Sequence, residues 1–123
     1  SEVSLADSTF ENIKDKAVSV GEGSQVNINS IIADDVGFGV VSKDTSTVSV
    51  RSSQISGASI AAFAAYQKKN TFGPAKLTIN SCEIIDSNNQ FLVQDGSSIW
   101  NNGIRIQTVQ FNVSGLYQNQ EKK

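Results

Sequence analysis

A short stretch near the middle of the chain concentrates the residues that are best suited to bind a ligand. Residues 66–74 hold two adjacent lysines, two aromatic side chains and the only proline of the chain. Aromatic faces suit sugar rings, and ammonium groups suit carboxylates or phosphates. We therefore predict a ligand-binding loop that uses Tyr66, Lys68, Lys69 and Phe72. The structural alternative is a solvated loop whose two aromatic rings pack down on the body of the protein.

A pair of adjacent carboxylates is the best candidate for acid–base chemistry. Asp34 and Asp35 follow each other directly, and glycoside hydrolysis uses two carboxylates that flank the scissile bond. The alternative is that both side chains cap turns, because Asp side chains accept hydrogen bonds from nearby backbone amides. The acids of this chain are scattered over turns and form no convergent set. The sequence therefore favours a protein without catalytic residues, and Asp34 and Asp35 are the alternative.

Acidic residues also recur just before the repeated segments described below. Glu22 and Asp44 occupy equivalent turns, and Asp95 occupies a third. Oxygen ligands at turns suit Ca²⁺, which takes about six to eight of them. Turn capping is favoured here too, so the sequence predicts no cofactor. A Ca²⁺ site that uses Glu22 and Asp44 is the alternative.

Composition excludes several classes of function. The chain of 123 residues has no histidine, which rules out Ser-His-Asp and Cys-His catalysis and zinc sites with imidazole ligands. A net charge of −2 with both signs scattered gives no electrostatic footprint for nucleic acid. No apolar run approaches the ~18 residues that span a bilayer, so we expect no membrane insertion. The single Cys82 excludes a disulfide within the chain and is predicted to be a small, buried, unreactive thiol.

Five copies of one pattern run through the chain, and they must position these residues. Each copy opens with a small residue followed by alternating apolar and polar residues, and successive starting points are 23, 22, 29 and 22 residues apart. Repeats of this length indicate a stacked architecture. The third copy is the longest because it contains residues 66–74. The copies begin at Ser1, Ser24, Ser46, Ala75 and Ser97.

Alignment of the copies brings apolar residues into columns, which indicates strands with one wet face. Three short strands are predicted in each copy of about 22 residues, and each needs a parallel partner in the next copy. We therefore predict an all-β fold, a right-handed parallel β-helix of about five coils. The columns are Val3, Val26, Val48, Leu77, Ile99; Leu5, Ile28, Val50, Ile79, Asn101; Phe10, Ala33, Ile55, Ile84, Ile106; Ile13, Val36, Ala58, Ser87, Val109; and Val18, Val40, Phe63, Phe91, Val113.

The secondary structure of residues 58–65 and the orientation of Trp100 are predicted separately. Residues 58–65 contain five alanines and are the best local candidate for a helix, but they align with residues 35–42 and are assigned to strand. Trp100 is predicted from the alternation to face outward beside Ile104 and to cover the end of the stack.

Three recurring elements carry a resemblance to a known family. They are Val26–Ser30 (VNINS), Leu77–Ser81 (LTINS) and Val41–Ser46 (VSKDTS), and the pattern covers nearly the whole chain. They resemble the right-handed parallel β-helix repeat family, the pectate-lyase-like superfamily. The resemblance implies the fold and says little about activity. Asp34 and Asp35 are similar to the paired carboxylates of hydrolases with this fold, but the His-Gly and Arg-x-Lys elements of those enzymes are missing.

A narrower resemblance suggests the location of the protein and the type of protein that contains it. Ser42–Asp44 (SKD) is followed one coil later by Tyr66–Lys69 (YQKK) and Gly73. This combination resembles β-helix segments of bacterial secreted or surface proteins, including those carried beside CotH-type kinase domains. It implies an extracellular or cell-surface location. The chain holds no phosphate-binding or kinase motif, so the resemblance implies no kinase activity here.

The repeats predict one β-helix domain over residues 1–116, with a loop insertion at 66–74 and a polar C-terminal tail at 117–123. Solenoids need caps, and neither end of this sequence looks like one. We expect missing sequence or another subunit to cover the ends, the latter in an end-to-end or side-by-side homo-oligomer. The predicted function is a non-catalytic module of a larger extracellular or surface bacterial protein, a rigid spacer or a platform that binds a polysaccharide or protein partner. The alternative is a fragment or relative of a polysaccharide lyase or glycoside hydrolase that acts on acidic polysaccharide.

Overall fold

A computed structural model describes residues 2–67 and 73–108 of the chain, and the described part consists of strands and turns without a helix. The predicted all-β class is confirmed, and most of the alanine-rich stretch lies in a strand. The strands are β1 (Glu2–Ala6), β2 (Thr9–Val20), β3 (Gln25–Asn29), β4 (Ile32–Lys43), β5 (Thr47–Arg51), β6 (Gln54–Ser56), β7 (Ala61–Tyr66), β8 (Lys76–Asn80), β9 (Glu83–Ile85), β10 (Phe91–Val93), β11 (Ser98–Asn101) and β12 (Ile104–Arg105).

Five parallel strands, one from each repeat, form the first sheet, which we call sheet 1. They pair in the order β1, β3, β5, β8, β11. Every second side chain points inward and stacks on its equivalent in the next coil. Both predicted columns of this sheet are confirmed by the register: Val3, Val26, Val48, Leu77, Ile99, and Leu5, Ile28, Val50, Ile79, Asn101.

The second sheet, sheet 2, is bent. β2 and β4 each run for 12 residues and pair in parallel, with a register shift between Ile13 and Lys16. The first part of β4 pairs with β6, which pairs with β9, and its second part pairs with β7, which pairs with β10. Two predicted strands are therefore joined into one bent strand in the early coils. Four members of each of two more columns are confirmed here: Phe10, Ala33, Ile55, Ile84, and Val18, Val40, Phe63, Phe91. Ile106, the fifth predicted member of the first column, lies outside the strands, and its N–H donates to the Ile99 carbonyl of sheet 1 at 2.9 Å.

Residues with positive φ form the corners between the sheets. Short polar side chains are common at these positions because they hydrogen-bond locally and tolerate the left-handed conformation. Equivalent corners stack through the backbone: the Ser30 N–H donates to the Arg51 carbonyl and the Ser52 N–H to the Asn80 carbonyl, each at 3.1 Å. The corner after sheet 1 is made by Asp7, Ser30, Ser52, Ser81 and Asn102, whose φ angles lie between 50° and 61°.

The inner side chains of both sheets meet in one core. Val40, Val48, Phe63 and Leu77 are fully buried in it, and each buried aliphatic or aromatic side chain stabilises the fold by about 1.5–3 kcal/mol. A buried hydroxyl pair closes one corner, with Ser42 Oγ and Ser46 Oγ 2.7 Å apart. The filled interior makes the solenoid a rigid support for the side chains that point outward.

The last repeat departs from the predicted fifth coil. Asn102 and Gly103 have φ angles of 50° and 83°, and two positive φ angles in an Asn-Gly pair are the mark of a type I′ hairpin turn. β11 therefore turns back into β12, which pairs with it antiparallel. The described chain is a β-solenoid of about four turns. Its right-handed sense stays a prediction based on the strong bias of parallel crossovers. Residues 109–116 of the predicted domain and the predicted tail, 117–123, lie outside the described residues.

Candidate functional site

The outward side chains of sheet 1 form a regular polar surface. Because side chains alternate across a strand, the residues between the buried columns point away from the core. One row in register crosses all five parallel strands, with neighbouring strands about 4.8 Å apart. It is a line of hydroxyl and amide groups that ends on an indole, and its members are Ser4, Asn27, Ser49, Thr78 and Trp100.

Two flanking rows complete this surface, which we call the polar face. One row contains Gln25, Thr47, Lys76 and Ser98, and the other contains Asn29, Arg51 and Asn80. Arg51 and Lys76 are both exposed. The outward positions of β3, β5, β8 and β11 thus carry two cations and no carboxylate. Over these four strands the face is locally positive although the whole chain has a net charge of −2, while Glu2 of β1 occupies the register position next to Gln25. The part of the face that contains Arg51 and Lys76 therefore favours anionic ligands.

A shallow recess opens in the polar face between β3 and β5. It has a volume of about 380 Å³ and is lined by Asn27, Ile28, Asn29, Ser49 and Arg51. The buried Ile28 belongs to the core, and the other residues offer two amides, a hydroxyl and a guanidinium. The planar fork of a guanidinium binds a carboxylate with two parallel hydrogen bonds. The recess can therefore hold a polar group that carries a carboxylate.

The short strand β12 holds Trp100 at the end of the central row. The Arg105 guanidinium lies 5.8 Å from the Trp100 ring centroid, and the two residues are register partners. A cation over an aromatic face is attracted by the ring electrons, so Arg105 restricts the orientation of the indole. The register confirms that Trp100 faces outward, and it is half-buried. The indole of Trp100 therefore provides an aromatic surface at the end of the central polar row.

The groups of the polar face are suited to binding an extended ligand. Its groups are neutral donors and acceptors, two cations and one aromatic ring. A general base must lie within hydrogen-bond reach of the proton that it removes. The outward positions of β3, β5, β8 and β11 carry no carboxylate, thiol or imidazole, and Lys76 is the side chain among them of a type that serves as a general base. The arrangement can align and hold an extended ligand across several strands.

The predicted ligand-binding loop is only partly described. Tyr66 is the last residue of β7 and is 0% exposed, so its ring faces an apolar cluster of the protein and offers no surface to a ligand. The expectation that Tyr66 belongs to an exposed loop is therefore corrected, because the pattern of β7 continues through it. Lys68, Lys69 and Phe72 lie outside the described residues, and their role stays a prediction.

Asp34 and Asp35 serve two different surfaces. Asp34 is exposed on the outer side of β4, where it accepts a hydrogen bond from Ser56 Oγ at 2.8 Å and is the register neighbour of Glu11. Asp35 lies at a corner with a φ of 57°. It lines a recess of about 380 Å³ together with Lys14, and Asp34 does not line that recess. The two carboxylates therefore do not face one common cleft.

Glu22 and Asp44 lie at stacked turns, as their sequence positions predict. The Gly23 N–H donates to the Asp44 carbonyl at 2.9 Å. Glu22 is exposed and Asp44 is 1% exposed. Each of the two residues takes part in a further interaction. Within residues 2–67 and 73–108, no group of three or more His, Cys, Asp or Glu residues is placed to hold a metal ion. A Ca²⁺ site at these residues stays a prediction.

Cys82 has the environment of a structural thiol. It is half-buried, and its Sγ lies 3.5 Å from the Asn80 carbonyl and 3.8 Å from the Val50 carbonyl. Burial raises the pKa of the Cys82 thiol, while hydrogen bonds with the backbone of Ser53 and Asn80 act in the opposite direction. A raised pKa leaves less of the reactive thiolate at neutral pH.

The polar face was not predicted from the sequence. The predicted candidates are charged and aromatic residues at turns and in the loop, whereas the face is built mainly from Asn, Ser and Thr within strands. The alternation along each strand does predict that the residues between the inward columns face solvent. Only the register shows that Asn27, Ser49 and Trp100 share one row.

Compared with known proteins, the chain matches no family model, no curated protein and no solved structure. In the described residues, no helix has the length and apolar character that a membrane crossing needs.

Proposed function

We propose that this chain is a non-catalytic β-helix module that binds a carbohydrate chain on the polar face. The observation that carries the proposal is the central row, in which four small polar residues in register lead to Trp100. Aromatic rings pack against the apolar faces of sugars, and hydroxyl and amide side chains match the donors and acceptors of sugar hydroxyls. A rigid parallel sheet holds all these groups at a fixed spacing.

The charges of the face point to an acidic carbohydrate. Arg51 borders the recess between β3 and β5, and Lys76 lies in a flanking row one strand further along. A guanidinium and an ammonium attract carboxylates, and Arg51 can bind one with two hydrogen bonds. The acids Asp34 and Asp35 lie on sheet 2 and at its corner and not in these rows. The ligand that fits this distribution is a polysaccharide that contains uronate residues.

The pectate-lyase-like resemblance concerns the fold and says little about activity. The resemblance of Ser42–Asp44 and Tyr66–Lys69 to β-helix segments beside CotH-type domains is the basis for proposing a module of a larger extracellular or surface bacterial protein, which would also act as a rigid spacer. The alternative function, a lyase or hydrolase of acidic polysaccharide, requires acid–base groups that converge on one ligand. Asp34 and Asp35 line different surfaces, so the binding function is the better supported of the two.

Binding to an oligogalacturonate tests the proposal directly. Isothermal titration calorimetry is expected to detect binding to the full chain, and Trp100→Ala is expected to weaken it about tenfold, or ~1.4 kcal/mol. Arg51→Gln is expected to weaken it and to reduce its dependence on salt, because it removes a cation. The matched control is Asp34→Asn, which removes a charge outside the polar face and is expected to leave the affinity unchanged.

Two results would contradict the proposal. Equal affinities for the Trp100→Ala variant and the unchanged chain would remove the polar face as the site. Release of unsaturated products or reducing ends from the polysaccharide, measured with and without Ca²⁺, would replace the binding module with the enzyme. In that case Asp34→Asn and Asp35→Asn would identify the residues that act.

A further inference from the structure

A second recess opens on sheet 2, away from the polar face. It has a volume of about 380 Å³, which lies within the ~300–1,000 Å³ that is usual for small-molecule sites. It lies where the first part of β4 bends into its second part and β2 runs alongside. We call it the corner recess, and its lining includes Asn12, Lys14, Asp35, Val36, Gly37 and Ser59.

A β-bulge in β2 forms one side of the corner recess. The register shift between Ile13 and Lys16 places two residues of β2 opposite one residue of β4, Gly37. Such a two-to-one arrangement disrupts the ladder locally and re-aims a side chain, and bulges are over-represented beside active sites for this reason. Lys14 is one of the two bulged residues, and it lines the recess.

Gly37 allows the bulge to approach β4 closely. A Cβ at residue 37 would collide with the Lys14 carbonyl oxygen and would lie 2.8 Å from the Asp15 carbonyl oxygen. Any side chain at this position would therefore displace the backbone of the bulge. The close approach holds the Lys14 backbone beside the same recess that Asp35 lines.

Two opposite charges line the corner recess and do not pair with each other. Lys14 and Asp35 are both exposed, and within residues 2–67 and 73–108 neither side chain forms an ion pair. The next two charged residues of β2 are engaged with each other, because Lys16 Nζ lies 2.7 Å from Asp15 Oδ1. The recess therefore presents one ammonium and one carboxylate that a ligand can use.

We propose that the corner recess binds the zwitterion of a small aliphatic α-amino acid. The Lys14 ammonium attracts the carboxylate of the ligand, and the Asp35 carboxylate attracts its ammonium. Asn12 and Ser59 are exposed at the recess and offer an amide and a hydroxyl for further hydrogen bonds. The backbone of the bend thus brings together the groups that both ends of the ligand need.

The lining also distinguishes a zwitterion from a simple ion. A carboxylate without an ammonium would be attracted by Lys14 and repelled by Asp35, and an amine without a carboxylate would meet the reverse. Ile13 is half-buried and Val36 is 2% exposed, and both line the recess. A short branched side chain can bury apolar surface against them. L-valine combines all these features and is the probe of choice.

The proposal does not rest on the carbohydrate function. The polar face belongs to sheet 1, whereas Lys14 and Asp35 belong to β2 and β4 of sheet 2. Either ligand can be absent without consequence for the other proposal.

An NMR titration of the isotope-labelled full chain with L-valine tests the proposal. The amide signals of Lys14, Asp35 and Gly37 are expected to shift, with a dissociation constant of about 1 mM because the ligand has few atoms. Lys14→Gln and Asp35→Asn are each expected to weaken binding about fivefold. Asparagine tolerates the φ of 57° at residue 35, so this variant keeps the corner. The matched control is Asp34→Asn, which removes a neighbouring carboxylate that does not line the recess and is expected to leave the affinity unchanged.

Two analogues of valine complete the test on the unchanged chain, so this comparison does not depend on the folding of any variant. Isovalerate lacks the ammonium and isobutylamine lacks the carboxylate, and each is expected to bind at least about fivefold more weakly than valine. An affinity of either analogue equal to that of valine would overturn the proposal. The same holds if valine shifts no amide signal of the corner recess, or if Lys14→Gln or Asp35→Asn leaves the affinity unchanged.

Discussion

The two outer faces of this solenoid come from the same repeat and differ completely in their exposure. On the polar face, Asn27 and Arg51 are exposed and Ser49 is half-buried. On the outer side of sheet 2, every residue of the apolar face is 0% exposed; its members are Phe38, Val41, Ala61, Ala64 and Tyr66. In the middle coils the inward side chains behind both faces are fully buried, as Val48 of sheet 1 and Val40 of sheet 2 show. The difference shows that the inward columns determine the fold, while the outward positions determine which surface stays open. The polar face therefore offers its side chains to a ligand, and the apolar face offers none.

The largest contrast is expected from a new charge placed on each face. Ala64 lies between Val41 and Leu92 in the register of sheet 2, so Ala64→Asp buries a carboxylate with no described cation beside it in that row. We expect a loss of about 3 kcal/mol or more in the free energy of unfolding. The matched change on the polar face, Ser49→Asp, is expected to cost less than about 1 kcal/mol.

Urea denaturation followed by circular dichroism measures both variants on the same scale. An Ala64→Asp variant as stable as Ser49→Asp would mean that the apolar face is open to water. The distinction between the faces would then be lost.

A smaller contrast is expected when an aromatic ring on each face becomes leucine. Phe38→Leu removes ring atoms from a fully buried site together with the contact to Lys16, and we expect it to lower the free energy of unfolding by about 1–2 kcal/mol. Trp100→Leu removes a half-buried ring and its contact with Arg105. We expect less than about 1 kcal/mol for this change, with its main effect on ligand binding. The reverse order of the two values in thermal or urea unfolding would contradict the difference in burial.

Much of the fold could be predicted because the repeat enforces its own register. Val26, Val48 and Leu77 are equivalent in sequence, and parallel stacking then requires them to share a column. The hairpin at Asn102 and Gly103 was not predicted, because the last copy was aligned with the others and predicted to form a full coil. The local turn signal was strong on physical grounds, since Asn-Gly accepts two positive φ angles.

The candidate site could be predicted only in part. Tyr66 looked like a loop residue because the copy that contains it is longer, but its position in β7 depends on pairing with Lys43 in the previous coil. The apolar face could not be predicted from period-two alternation, because residues 61–66 are apolar throughout and do not alternate with polar residues. Buried outward residues are recognised only when something covers them, and the sequence of a strand does not contain that information.

Accessibility of Tyr66 relative to Trp100 in the full-length monomer tests the central claim most directly. Hydroxyl-radical labelling with peptide-level mass spectrometry measures both side chains in one experiment. The account predicts that Trp100, on the open polar face, is labelled readily and that Tyr66, on the covered apolar face, stays protected until the protein unfolds. Equal labelling of the two residues in the folded monomer would contradict it.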